Sequence, residues 1–268
     1  MGKNISKAVF EKAHTVVFKV GSSLIVGADG QVRTDWIDSL AEDIRSLLLQ
    51  GKKALIVSSG AVAMGRLRLG LGVQKLNLSQ KQAAAAVGQI ELSSLYQEIL
   101  EIKKIKAAQV LLTQDNAENE HNFINAVSTL KTILEMGVVP IINENDTVSS
   151  EEMKFGDNDR LSAIVAHMVN ADVLVLLSDI DGLYGADPKI NPSAKFYPVI
   201  KQITPKVEAM ASSSKSTLGT GGMKSKLMAA QMCMGIGCDV VITTGADLYP
   251  LSRLLNGEKC TWFLHGDK

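Results

Sequence analysis

Short apolar runs of strand length recur along this chain, and most of them give way to a polar or glycine-rich turn and then to a helical pattern. Thr15–Val20 (TVVFKV), Ala54–Val57 (ALIV), Ala108–Thr113 (AQVLLT), Val138–Asn143 (VVPIIN), Asp172–Leu177 (DVLVLL) and Val240–Thr243 (VVIT) are near-continuously apolar. A half-exposed strand alternates; runs like these read as strands buried on both faces. Between them lie helical stretches. Thr34 is placed to cap a helix over Asp35–Gln50, striped by Ile37, Leu40, Ile44, Leu47 and Leu48. Ser79, with Gln82 three residues on, is placed to open a long helix toward Ile102. Asn122–Met136, Leu161–Val169 and a stretch from near Met223 also read as helix, and Thr261–His265 closes the chain. Such alternation specifies an α/β fold, a mostly parallel sheet with helices on both faces.

A chain of 268 residues, 46% of them apolar, supports a large core. Lys+Arg and Asp+Glu both total 28, so the basic field of a nucleic-acid binder is absent. The three cysteines, Cys233, Cys238 and Cys260, have neither disulfide-framework nor metal-ligand spacing and read as buried thiols of a reduced, intracellular protein. The opening MGKNISKAVFEKAHT lacks the apolar stretch of a signal peptide, and no run approaches the ~18 apolar residues of a membrane span. The expected location is cytoplasmic, with no membrane or nucleic-acid partner. No linker splits the chain; a change of character near Asp172 suggests one domain, 1–268, of two lobes, roughly 1–171 and 172–268, the second carrying most of the candidate nucleotide loops.

Ligands of a doubly wound sheet sit outside the carboxyl ends of its strands, and the polar residues of this chain gather there. KVGSS (Lys19–Ser23) ends the first strand. Lys19 is out of place in an apolar strand unless it is either a snorkelling edge residue or a phosphate ligand. GTGGMKSK (Gly219–Lys226) is neither a Walker loop nor a dinucleotide fingerprint. It is either a flexible surface loop or a glycine-lined approach to a helix N-terminus, with Lys226 about one turn in, able to reach a terminal phosphate. NEND (Asn143–Asp146) and GDND (Gly156–Asp159) cluster acids with amides. They are either Asx-rich turns or a site for an ammonium group and carboxylates, the acids pairing with the ammonium and the amides donating to the carboxylates. SSGA (Ser58–Ala61) follows the second strand, and Ser178, Asp179 and Asp181 follow the fifth at a position suited to a nucleotide's sugar or base. The histidines His14, His121, His167 and His265 show no catalytic or metal spacing. His167, in an apolar helix, reads as a core residue, and no general base stands out.

VVFKVGSS, IVSSGAVAMG, VPIINENDTV, FGDNDRLSA, LLSDIDGLYGADP and GTGGMKSK, in this order from Thr15 to about Leu264, resemble the amino-acid kinase family, and within it the branch that phosphorylates glutamate. The resemblance implies a three-layer α/β/α sandwich, a glutamate-binding lobe followed by a nucleotide-binding lobe, and transfer of the γ-phosphoryl of ATP to the side-chain carboxylate of glutamate. The product would be glutamyl 5-phosphate, the first committed intermediate of proline synthesis. By these motifs Lys19, Gly21 and the segment Thr220, Gly221, Gly222, Met223, Lys224, Ser225 and Lys226 would hold the ATP phosphates, with Ser178 and Asp179 near the nucleoside. Ser59, Gly60, Ala61, Asn143, Asp146 and Asn158 would bind glutamate, and Asp159 would orient the two lysines. No protein metal ligand is implied; Mg²⁺ would be carried mainly by the phosphates. The resemblance also implies feedback inhibition by proline, while the apolar, small-residue helix over Gln80–Ile102 suits self-association, so a homo-oligomer, a dimer or tetramer, is expected. The chain stops at Lys268, where many members continue into an RNA-binding-like module, so it is expected to be the form without it. Two other readings stay open: a relative acting on acetylglutamate, aspartate, carbamate or a nucleoside monophosphate, and a non-catalytic sensor on the same fold.

Overall fold

The computed structural model describes residues 2–72, 74–148, 158–188, 190–212 and 222–266. The apolar runs become β1 (Thr15–Val20), β2 (Lys53–Ser58), β3 (Ala107–Leu112), β4 (Val139–Glu144), β5 (Val173–Ser178), the short β6 (Leu183–Tyr184), β7 (Phe196–Tyr197) and β8 (Val199–Ile200), then β9 (Asp239–Thr244) and β10 (Cys260–Phe263). Among the described residues one sheet runs in the order β3-β4-β2-β1-β5-β9-β10-β8, and β6 and β7 form a separate antiparallel pair. Pairing is parallel throughout the large sheet except between β9 and β10.

The helices are α1 (Gly2–Lys12), α2 (Ser22–Ile25), α3 (Thr34–Leu49), α4 (Ala61–Leu69), α5 (Leu78–Ile102), α6 (Asp115–Glu118), α7 (Glu120–Glu135), α8 (Asn158–Val169), α9 (Pro205–Ser212), α10 (Met223–Gly235) and α11 (Pro250–Asn256). Successive strand residues face opposite ways, and the two helical layers follow that alternation. Val16, Phe18 and Val20 of β1 pack with Trp36, Ile37 and Ile44 of α3, Leu92 and Tyr96 of α5 and Leu254 of α11. On the other face Val17 packs with Leu130 of α7, Leu161 and Val165 of α8 and Leu227 and Ala230 of α10. Lys19 belongs to this second face, toward α8 and α10. The result is the α/β/α layering that the resemblance implied.

β1 is where the strand order reverses: the chain fills one side of it with β2, β3 and β4 before crossing to β5 on the other. A crevice at the carboxyl ends is the expected ligand position in such a sheet. The register aligns those ends, with Val20 opposite Ser58 and Leu177, and Ser178 opposite Thr244.

Three local details differ from the sequence reading. The capping box of α5 is formed by Asn77 and Gln80: Gln80 N–H donates to Asn77 Oδ1 (2.9 Å) and Asn77 N–H to Gln80 Oε1 (3.0 Å). The Ser79/Gln82 pair has the same spacing two residues late, and Asn is at least as good a cap. Thr34 is the first residue of α3 and does not cap it; the first turn closes through Trp36 and Ile37 N–H groups on the Arg33 carbonyl. His167 is exposed on α8, its ring 5.6 Å from Phe123, because it falls on the helix's outward side. The three cysteines are free thiols, all buried.

The small residues of α5 serve an internal contact. Ala84, Ala85 and Gly88 are buried. A Cβ on Gly88 would lie 1.8 Å from the Ala61 carbonyl oxygen, and one on Gly65 1.8 Å from that of Ala84. The α4 and α5 backbones therefore touch where these glycines sit. Gly88→Ala should lower the unfolding free energy by about 1–3 kcal/mol or more, since backbone rather than a flexible side chain must yield. Denaturant unfolding checks it; an unchanged midpoint would mean the helices do not meet this closely.

Candidate active site

Lys19 is the penultimate residue of β1, 7% exposed despite its charge. The start of α8 supplies its partner. Asp159, fully buried, has one oxygen 2.7 Å from the Lys19 ammonium and the other 3.1 Å from the ammonium of Lys226, itself 3% exposed in the first turn of α10. Ser225 Oγ lies 2.8 Å from that second oxygen and 2.9 Å from the Gly222 carbonyl. Two ammoniums around one carboxylate leave the cluster with one positive charge. Burial alone would raise the Asp159 carboxyl; the charges of Lys19 and Lys226, with hydrogen bonds from Lys19 and Ser225, outweigh it and hold the group below the ordinary carboxylate range. Gly222 N-caps α10 in an extended conformation. The N-terminus of this helix, whose first N–H groups have no partner within the helix, lies beside the lysines and favours an anion there.

One residue earlier, Asn158 faces the other way. Its side-chain N–H₂ donates to the Ser58 carbonyl (3.1 Å), Ser59 Oγ (2.8 Å) and Asn143 Oδ1 (3.0 Å). Asn143, buried near the end of β4, also accepts from the Glu144 N–H at 2.9 Å. Ser59 N–H in turn donates to the Val20 carbonyl at 2.9 Å, which ties the loop after β2 to the end of β1. Gly60 caps α4 at φ +112°, a conformation costly for a side chain, and a Cβ there would press on Ile25 at 3.2 Å. Two consecutive residues of α8 thus join a basic cluster on one side to an amide and hydroxyl cluster on the other.

This arrangement alters one expectation. With the Asn158 N–H₂ committed, the group it retains is Oδ1, which meets no donor among the described residues. An acceptor suits an ammonium rather than a carboxylate, and Ser59 Oγ, accepting from Asn158, keeps its own hydrogen to donate.

The other sequence candidates distribute around these two clusters. Gly21 turns the chain from β1 into α2. Ala61 is the buried first residue of α4. Asp146 is half-buried just past β4. Ser178 is buried and its hydroxyl donates to Asp179 Oδ1 at 3.1 Å, while Asp179 itself is exposed. Met223 is buried and Lys224 exposed on α10. Thr220 and Gly221, like Gly219, Gly156 and Asp157, lie outside the described residues. Sequence reasoning missed Gln89 of α5, whose Oε1 accepts from Asn143 Nδ2 at 2.8 Å. A signal existed: Gln89 is the polar residue in the stripe Ala85, Leu92 and Tyr96, three buried positions on one side of the helix.

A buried basic pair on one aspartate, beside a helix N-terminus at the carboxyl edge of a parallel sheet, is the layout of a phosphoryl-transfer site. The chain belongs to the amino acid kinase family, whose model matches residues 14–244. Within it, the chain is 52% identical over 253 residues to the glutamate 5-kinase of Paramagnetospirillum magneticum, covering 94% of this chain and 68% of that protein. It is 48% identical over 258 residues to the glutamate 5-kinase of Dinoroseobacter shibae, covering 96% and 70%. Among solved structures, carbamate kinase from Giardia lamblia bound to AMP-PNP superposes with a TM-score of 0.66 at 16% identity over 96% of this chain and 100% of that one. UMP kinase from Ureaplasma parvum gives 0.65 at 16% identity over 94% and 99%. These two likenesses establish the fold alone.

Proposed function

We propose that this protein uses ATP to phosphorylate the γ-carboxylate of L-glutamate, giving L-glutamyl 5-phosphate, the first step of proline synthesis from glutamate. The observation that carries the reading is the start of α8, where Asp159 gathers Lys19 and Lys226 while Asn158, its neighbour, reaches Ser59 and Asn143. A phosphate donor and an amino-acid acceptor bound on either side of that turn would meet over it. Similarity to glutamate 5-kinases along nearly the whole chain supports glutamate as the acceptor.

The chemistry follows from the acceptor. A carboxylate is ionised at neutral pH and attacks phosphorus without giving up a proton, so no general base is required. What must be supplied is positive charge, because two anions approach and charge spreads over the oxygens of the transferring group. Lys19 and Lys226 are the donors in this reading, and Asp159 holds both in place. The α10 N-terminus with Gly222 and Ser225 cradles the phosphates, and Ser178 and Asp179 face the nucleoside. On the acceptor side Asn158 Oδ1 and Asp146 take the ammonium, and the Ser59 hydroxyl donates to a carboxylate.

Among the described residues no group of three or more His, Cys, Asp or Glu side chains could hold a metal ion, and Asp159 is already shared by two ammoniums. In this reading Mg²⁺ is carried mainly by the nucleotide phosphates, where it would neutralise further charge.

No helix among the described residues is long and apolar enough to cross a membrane. The reading places the enzyme in the cytoplasm as a homo-oligomer under feedback by proline; sedimentation, and proline added to the assay, test the last two.

The defining experiment is glutamate-dependent ADP formation with the product trapped by hydroxylamine as the γ-hydroxamate. A panel with acetylglutamate, aspartate, carbamate and UMP in place of glutamate identifies a different acceptor, and ADP release with none of them excludes a kinase of this class. Asp146→Ala should raise the glutamate KM at least about tenfold, the cost of one charge-assisted hydrogen bond, and leave the ATP KM nearly unchanged. Equal increases in both would remove Asp146 from the acceptor side.

A further inference from the structure

We infer that Gln89 is a positioning residue for the acceptor site: from α5 it fixes the plane of Asn143, and through Asn143 the orientation in which Asn158 meets the substrate. The inference rests on the glutamate reading above and adds to it a residue outside the loops at the strand ends.

Two backbone groups set the polarity of the amide chain. Glu144 N–H can only donate, so the atom of Asn143 facing it is Oδ1, and Nδ2 points toward α5. The Ser58 carbonyl can only accept, so Asn158 turns Nδ2 toward it and toward Asn143 Oδ1. Between these anchors Asn143 needs an acceptor for its Nδ2, and the acceptor it meets is Gln89 Oε1 at 2.8 Å. Gln89 is held in turn. Ser93, one turn on, donates its hydroxyl hydrogen to the Gln89 carbonyl (2.7 Å), so its Oγ is left to accept from Gln89 Nε2 (3.1 Å). Turning the side-chain amide of Gln89 over would set its Nε2 against Asn143 Nδ2, donor against donor, and lose the bond to Asn143.

The chain is in reach because of its neighbour. Gly88 lets α5 close onto the Ala61 carbonyl at the start of α4, which brings residue 89 beside the loop after β2 and the end of β4. Removing the Gln89 acceptor leaves an amide N–H buried in Asn143, which is 4% exposed. That N–H seeks another partner, and rotation of Asn143 withdraws the Oδ1 that holds Asn158.

Steady-state kinetics of three variants, with ADP release as the readout, test the assignment. Gln89→Met keeps the length of the side chain and removes its polar atoms; it should raise the glutamate KM about tenfold, the equivalent of one unsatisfied buried group, with the ATP KM changed less than about twofold. Gln89→Glu keeps an acceptor toward Asn143, and the Ser93 hydroxyl can turn to donate to it; its glutamate KM should stay within about threefold of wild type. Ser93→Ala, the mildest change, should give an intermediate increase and covers the case in which Gln89→Met does not fold. A glutamate KM within about twofold of wild type in both Gln89→Met and Ser93→Ala overturns the proposal. So does a parallel rise in the ATP KM, which would mark Gln89 as merely structural. A wild-type protein inert toward glutamate but active on another acceptor would overturn the functional reading instead, and the same split of KM values measured with that acceptor still decides the role of Gln89.

Discussion

Lys226→Ala and Lys19→Ala should each lower turnover about 10²–10³-fold, equivalent to about 3–4 kcal/mol of transition-state stabilisation. Both ammoniums are nearly excluded from water, where a charge aimed at a developing anion is worth more than at the surface. The loss should fall on kcat more than on either KM. Phosphates would still find the α10 N-terminus, and the acceptor would still find the amide and hydroxyl cluster, because neither depends on one lysine. Folding should survive as well. With one lysine gone, Asp159 remains paired with the other, and the buried cluster passes from one net positive charge to none. Steady-state kinetics of both variants, with circular dichroism to confirm the fold, check this. Retention of more than about a tenth of wild-type turnover by both would exclude the lysines from the transfer step.

Most of the sheet was legible in the chain because β1, β2, β4, β5 and β9 are largely buried on both faces and so carry their own hydrophobic signature. β3, at the sheet edge, is only partly covered, with Leu111 37% exposed, and its apolar run overstates its burial. TVVFKV gave β1 residue for residue, and the lysine within it stood out as an anomaly. The resolution of the anomaly was not legible bottom-up. Asp159 and Lys226 are 67 residues apart, and Asn143 and Gln89 are 54 apart. Such pairings are products of topology, which periodicity does not encode; the family resemblance supplied the first pair and nothing supplied the second. Short elements were lost for a different reason. β6, β7 and β8 are two residues each, too short for any alternation. α4 went unread because AVAMGRLRL is marked mainly by the glycine that lets α5 approach it, and a glycine reads locally as a break. The orientation of the Asn158 amide was likewise not legible, since its N–H₂ is turned toward a backbone carbonyl at the end of another strand.

Asp159→Ala should be the most destabilising single change at the site. It leaves two buried ammoniums facing each other with no counter-charge, so the cluster goes from one net positive charge to two, whereas loss of either lysine takes it to zero. Breaking a buried ion pair from the side that strands a charge costs about 3–5 kcal/mol, and here one removal strands two. The expected order of stability by denaturant unfolding is wild type, then either lysine variant, then Asp159→Ala. ATP should narrow the gap, because its phosphates supply the missing negative charge and a ligand that binds only the folded state stabilises it by mass action. Acid should narrow it as well. The Asp159 carboxyl lies below its ordinary value of 3.8 in the folded protein. Its contribution is therefore complete above that value and is lost as pH falls through the lower, folded-state value. Asp159→Asn, which cannot titrate, should lack that part of the acid limb and show a shallower fall in stability below about pH 4. If Asp159→Ala instead unfolds alongside the lysine variants, with or without ATP, the two ammoniums find water once the carboxylate is gone. The two lysines would then not be held in a dry site by Asp159.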